Sequence, residues 1–127
     1  LLEVYTDGAS AGNPGPSGIG VYITGEGHQI RLKKSIGEST NHQAEFDALL
    51  FGLQEAQKLH SDIVSARTDS KIVVQAIEKR YAKDPIFAVK LEEILALVDS
   101  FPLFFIKWIP EKENKTADLL AKSAIMR

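Results

Sequence analysis

Ser17-Gly18-Ile19-Gly20-Val21-Tyr22-Ile23-Thr24-Gly25-Glu26-Gly27-His28-Gln29-Ile30-Arg31-Leu32-Lys33-Lys34-Ser35-Ile36 decides the fold. Ile19, Val21 and Ile23 alternate as they would in a strand. Gly25-Glu26-Gly27 is a hairpin turn signal, and His28 to Ile36 alternates again. Upstream, Leu2 and Val4 alternate with Glu3 and Tyr5, so a third strand precedes these two. It ends in Asp7 and enters a turn dense in glycine and proline, Gly8-Ala9-Ser10-Ala11-Gly12-Asn13-Pro14-Gly15-Pro16. Three strands joined by short turns are antiparallel neighbours. A doubly wound parallel sheet would need a helix after the first strand.

Downstream the period changes. Thr40 with Gln43 three residues later is a capping box, and a helix is expected from Asn41 to about Leu59. Ala48, Leu49, Gly52, Leu53 and Ala56 form its inward face, and Glu45 falls on that face. Ile63 to Asp69 reads as a strand ending in an acid. The helix behind it carries Ile72, Val73, Ala76 and Ile77 on one face. Asp84-Pro85 opens another helix with Phe87, Leu91, Ile94, Leu95 and Val98 inward, stopped by Phe101-Pro102. Leu103 to Ile109 is a last strand, in which Phe104, Phe105 and Trp108 are expected in the core rather than as base-stacking groups. A closing helix starts near Asn114, with Ala117, Leu120, Ala121, Ala124 and Ile125 inward. The order is βββαβααβα. The connection from the third strand to the fourth is long enough for a crossover, giving a mixed α/β sheet flanked by helices.

The 127 residues, 44% hydrophobic and 25% charged, predict one domain spanning 1–127. There is no cysteine, which excludes disulfides and thiolate metal sites and makes a reducing cytoplasm the simplest home. No apolar run reaches membrane-spanning length, so no membrane partner is expected. A net charge of −2 gives no support to a strongly basic nucleic-acid binder. Any polyanionic ligand must be drawn by metal ions and scattered Lys and Arg. The chain opens on Leu1 rather than Met, so a further N-terminal segment is a possibility.

Four acids carry the chemistry. Asp7 and Asp69 end strands, Glu45 lies in the opening turns of a helix, and Asp118 borders the inward face of the last one. Each has a plain structural reading: Asp7 as a turn opener, Glu45 as an acid at the helix dipole, Asp69 as an N-cap. If the two acid-tipped strands are parallel neighbours, however, both acids emerge at the carboxyl edge of the sheet, where open α/β sheets place their sites. Clustered carboxylates repel, and cations relieve that. Oxygen-only donors select hard ions, Mg²⁺ or Mn²⁺. Two such ions ~3.5–4 Å apart activate water and stabilise a leaving oxygen in phosphodiester hydrolysis. Phosphoreceiver domains also gather acids around Mg²⁺, but they begin β-α-β, unlike this chain.

Thr6-Asp7-Gly8-Ala9-Ser10 with Gly12 to Gly18 resembles the first motif of type 1 ribonuclease H. Thr40-Asn41-His42-Gln43-Ala44-Glu45 resembles the second, Thr68-Asp69-Ser70 the third, and Asn114-Lys115-Thr116-Ala117-Asp118-Leu119-Leu120-Ala121 the fourth. The resemblance covers essentially the whole chain, in order. It implies the ribonuclease H-like fold with a five-stranded mixed sheet. It also implies hydrolysis of the RNA strand of RNA–DNA hybrids to 5′-phosphate and 3′-hydroxyl ends. By the same analogy Asp7 bridges two metal ions, Glu45 and Asp69 complete one site and Asp118 the other. Asn13, Asn41 and His42 face the minor groove, where polar partners read the 2′-hydroxyl. Gly8 would let the nucleic-acid backbone approach. A monomer is expected.

Three departures stand out. His42 takes the place of the family's usual second Asn. No histidine stands in the loop before Asp118, where Ile109-Pro110-Glu111-Lys112-Glu113-Asn114 runs instead, so Glu111 or Glu113 is a candidate auxiliary for proton transfer or product release. Ala76 to Leu91 is too short for the basic protrusion some members carry, leaving only Lys79, Arg80 and Lys83. Two rivals follow: a non-catalytic hybrid- or RNA-binding relative, and a DNA-processing nuclease of the same fold.

Overall fold

In the computed structural model, which describes residues 1–125, alternation and helical period land where the side-chain patterns put them. The elements are β1 (Leu2–Ser10), β2 (Gly15–Gly25), β3 (His28–Ser39), α1 (Asn41–Gln57), β4 (Ile63–Thr68), α2 (Lys71–Lys79), α3 (Pro85–Val98), β5 (Leu103–Trp108), a 3-10 turn (Glu111–Glu113) and α4 (Lys115–Ile125). The last two residues of the 1–127 span lie outside the described residues. The five strands form one sheet in the order β3-β2-β1-β4-β5. β1, β2 and β3 are antiparallel, whereas β4 runs parallel to both β1 and β5. The expected mixed ribonuclease H-like sheet is therefore the observed one.

Register explains where the acids emerge. The parallel β1–β4 pairing ends at Tyr5↔Arg67, and the β4–β5 pairing ends at Thr68↔Trp108. Asp7 lies just past the first limit and Asp69 just past the second, so both project from the carboxyl edge of the parallel half. One boundary moves: β1 does not stop at Asp7 but continues to Ser10, because β2 keeps pairing with it through Ser10↔Ser17. The antiparallel hairpin carries the strand beyond the point where β4 has left.

Helices cover both faces. α1 packs on β1 and β2, where Leu49, Leu53, Val4, Val21 and Ile23 are fully buried, and α3 lies against α1. α4 covers β1, β2 and β3 from the other side. Its approach needs Gly20, whose missing Cβ would sit 2.6 Å from the Ala121 nitrogen. The Thr40/Gln43 capping box forms, as does the Asp84 cap with Pro85 in the first turn of α3.

Two expectations are corrected, and one rival structural reading fails. Phe105 and Trp108 are 54% and 41% exposed, not core. β5 is an edge strand: Phe105 points to the face that α4 covers only over β1, β2 and β3, while Trp108 shares the face of Phe104 and Ile106 but stands at the strand's last rung, beside α2. On α2, Ile72 is exposed and Val74 is buried in its place, since the helix turns its face toward the β4–β5 end of the sheet. Asp69 is not the cap of α2; Ser70 is, its side chain accepting from the Val73 N–H. Among the described residues no helix is long and apolar enough to cross a membrane.

Candidate active site

Asp7, Glu45 and Asp69 each offer a carboxylate oxygen to one small volume, these atoms lying within 4.8 Å of one another. β1 supplies Asp7, the second turn of α1 supplies Glu45, and the bend between β4 and α2 supplies Asp69. Asp7 is 6% exposed, which is low for a carboxylate. Asp118, in the first turn of α4, lies near enough to help raise the Asp7 carboxyl and pairs with Lys122 at 3.1 Å. The four predicted acids are thus brought together, three as one cluster and the fourth at its border.

Electrostatics follow from that crowding. Burial, then the charges of Asp69, Asp118 and Glu45, push the Asp7 carboxyl up to about 9. Burial and Glu45 raise Asp69 as well, while the Asn114 amide pulls it the other way and Glu111 adds to the rise. At neutral pH such a cluster holds either a proton or a cation. Its donors are all oxygen, and a hard divalent ion fits them where a soft metal would not. This is an acidic site suited to divalent metal ions.

The surrounding groups hold the acids in place. Ser70 Oγ donates to Glu45 Oε1 at 2.9 Å, and His42 Nδ1 lies 3.0 Å from the same oxygen. The Gly8 N–H donates to Asp7 Oδ1 at 3.0 Å. Asn114, 1% exposed, donates from Nδ2 to the Thr6 carbonyl at 2.9 Å, tying the start of α4 to β1 beside Asp7. Neither Ser70 nor Asn114 has a role in the sequence reading. Ser70, three residues before Val73, carries a cap signal that the neighbouring acid masked. The Asn114 contact spans 108 residues, and no local pattern announces it.

The remaining candidates divide. Asn13 and Asn41 meet, the Asn41 N–H donating to Asn13 Oδ1 at 3.0 Å, so the β1–β2 turn helps satisfy the start of α1. Both are exposed, as is His42, which stands edge-on to Phe87. Gly8 has a packing reason to lack a side chain. A Cβ there would lie 2.6 Å from the Glu45 nitrogen and against the Ala44 carbonyl, so helix α1 leaves no room for a side chain. Its missing side chain lets α1 bring Glu45 up to Asp7. Glu111 lies close enough to Asp69 to raise it, whereas Glu113 lines a separate cavity with Tyr5, Tyr22 and Lys115.

A β3-β2-β1-β4-β5 sheet with acids gathered at the carboxyl edge of its parallel half is the ribonuclease H-like class. The family described as reverse transcriptase-like matches residues 5–124. A protein of Enterococcus faecalis named "Putative hydrolase EbsB" is 43% identical over 130 residues, covering 100% of this chain and 96% of that one. The crystal structure of ribonuclease H1 from the halophilic archaeon Halobacterium salinarum superposes with a TM-score of 0.92 at 34% identity, covering 98% and 97% of the two chains. LC11-RNase H1, solved in complex with RNA/DNA hybrid, gives a TM-score of 0.92 at 34% identity over 99% and 97%. Against mycobacterial relatives 35% identical to it, the chain spans 35% of their length. The chain belongs to the type 1 ribonuclease H family.

Proposed function

We propose that this protein is an endonuclease that hydrolyses the RNA strand of RNA–DNA hybrids, leaving 5′-phosphate and 3′-hydroxyl ends. The observation that carries the reading is the convergence of Asp7, Glu45 and Asp69 within 4.8 Å, with Asp118 near enough to raise the Asp7 carboxyl. A relative with the same fold at 34% identity was solved with such a hybrid.

Asp7, Glu45, Asp69 and Asp118 would hold two divalent ions, Mg²⁺ or Mn²⁺. When bound, these supply Lewis-acid stabilisation of the charge that develops on the attacking and leaving oxygens. The chain's own groups do the rest. Ser70 and His42 fix the Glu45 carboxylate, and Asn114 locks the β1 segment that carries Asp7. Asn13, Asn41 and His42 form an exposed polar edge beside the cluster, placed to read 2′-hydroxyls in the minor groove. Hydrolysis joins a water oxygen to phosphorus and breaks the bond to O3′, so water loses a proton and O3′ gains one. Glu111, near Asp69, is the group we assign to carry that proton. Tyr81, Lys79 and Lys83 line an apolar groove on the α2–α3 side, a small basic grip for the second strand. With so few cations engaged, electrostatic attraction to the hybrid should be weak and its dependence on salt shallow.

The test is incubation of labelled RNA–DNA hybrid, double-stranded RNA and duplex DNA with Mg²⁺ or Mn²⁺, alongside Asp7→Asn. Cutting confined to the RNA strand of the hybrid, and lost in Asp7→Asn, supports the reading. Tight hybrid binding with no cutting under either metal replaces it with a binding role.

A further inference from the structure

Trp108 is the chain's sole tryptophan, and its placement is odd for its chemistry. A large aromatic buries area to stabilise a fold, yet this one stands 41% exposed at the last rung of an edge strand. Its indole N–H reaches past that rung to the main-chain carbonyl of Asp69, at 3.1 Å. Backbone accounting shows why this matters. The Thr68 carbonyl is taken by the Ile109 N–H at 2.9 Å, completing the sheet. The Ser70 carbonyl is taken by the Val74 N–H, opening α2. The Asp69 carbonyl falls between sheet and helix, at the one peptide neither ladder uses, and Trp108 supplies its donor.

Other bonds pin the rest of this bend. The Ser70 N–H donates to Thr68 Oγ1 at 3.1 Å, and Ser70 Oγ reaches Glu45. Lys71 Nζ lies 5.2 Å from the centre of the Trp108 ring. A cation in the first turn of a helix is disfavoured by the helix dipole, so its place over the indole is not explained by α2. It is explained by a cation–π contact with the Trp108 ring.

We propose that Trp108 is a positioning residue for the metal site: its indole N–H fixes the Asp69 peptide so that the Asp69 carboxylate faces Glu45 and Asp7. The inference rests on the proposed metal reading and goes beyond it. The donor, not the ring's bulk, is what acts. Removing it leaves the bend free to rotate about one peptide and displaces a single ligand. Metal affinity and turnover then fall while the fold and the hybrid-binding edge remain.

The experiment compares wild type with Trp108→Phe and with a protein in which Trp108 is replaced by benzothienylalanine, an isostere whose ring sulfur replaces the N–H. Mn²⁺ is titrated by calorimetry, hybrid binding is measured in EDTA, and melting is followed without metal. We expect Mn²⁺ affinity to fall roughly tenfold in both variants, at the lower end for an outer partner of a ligand. Turnover should fall with it, while metal-free hybrid binding and the metal-free melting temperature should match wild type. Unchanged Mn²⁺ affinity in the benzothienylalanine protein overturns the proposal. So does parallel loss of melting temperature and hybrid binding, which would make Trp108 a packing residue. If wild type itself binds no Mn²⁺, the metal reading fails instead, and the two failures are distinguishable.

Discussion

Ser70 Oγ donates to Glu45 Oε1 at 2.9 Å while accepting from the Val73 N–H, so one hydroxyl both caps α2 and orients an acid carried by α1. Ser70 is 5% exposed and the two partners lie on different helices. Ser70→Ala removes the cap, worth about 1 kcal/mol of stability, and leaves the Glu45 carboxylate held by His42 alone. A modest loss of melting temperature is expected together with a several-fold weaker Mn²⁺ midpoint. Ser70→Thr, which keeps the hydroxyl, should restore both. Calorimetric titration and thermal melting check this; a variant weakened only in stability would show that Glu45 is held well enough by His42.

Asp7 makes the metal-free protein pH-sensitive. Its carboxyl titrates near 3.8 when unfolded and at about 9 in the fold. Below both values the two states are equally protonated and the group costs nothing. Between them the unfolded chain releases a proton that the folded chain keeps, so stability falls as pH rises, by up to about 1.4 kcal/mol per pH unit from one such group. In EDTA the melting temperature should therefore drop from pH 5 to pH 8. Asp7→Asn should flatten that slope and melt higher than wild type at pH 8. Mn²⁺ at pH 8 should restore wild type and leave the variant where it was. A wild-type melting curve that did not move with pH in EDTA would contradict the burial of this charge.

What the sequence makes legible is whatever rests on local period. Three alternating runs with short turns, the Thr40/Gln43 box and the Asp84-Pro85 start each declare an element, and together they admit few topologies. Asp7, Glu45 and Asp69 each have a plain local reading as turn, dipole or cap acids, and it is the ordered resemblance of four motifs to type 1 ribonuclease H that joins them with Asp118 into one site. What stayed hidden depends on the third dimension. Phe105 looks like core until β5 is known to be an edge strand that α4 leaves uncovered, and Trp108 until it is known to stand at that strand's last rung. Asp69 and Ser70 compete for one cap, and only the fold shows that the hydroxyl takes it and leaves the carboxylate for the cluster. Asn114 meets Thr6 across almost the whole chain.

Gly8 separates a packing role from a substrate role. The missing Cβ faces the Ala44–Glu45 backbone of α1, not an open groove. Gly8→Ala must push α1 away from β1, and overpacking of this kind costs about 1–3 kcal/mol or more where backbone is the obstacle. The metal-free melting temperature should fall clearly, and Mn²⁺ affinity should fall with it because Glu45 moves off the cluster. Were Gly8 there to admit nucleic acid, the variant would instead keep its melting temperature and metal affinity and lose only hybrid binding.

Glu111 and Glu113 flank one 3-10 turn, yet they face different surroundings. Glu111 lies near enough to raise Asp69, while Glu113 shares a cavity with Tyr5, Tyr22 and Lys115 away from the cluster. A group that carries a proton for the reaction must sit within reach of the reacting oxygens, directly or through one water. Only Glu111 is on that side. Glu111→Gln is therefore expected to lower turnover by roughly ten- to a hundredfold, within the range for general acid–base catalysis, with hybrid affinity and melting temperature held. Loss of its charge should also lower the Asp69 carboxyl toward its ordinary range. Glu113→Gln should change none of these. Single-turnover rates on a labelled hybrid, taken across pH for the two variants, decide the matter: equal rates in both would remove Glu111 from the chemistry and leave the proton to bulk water.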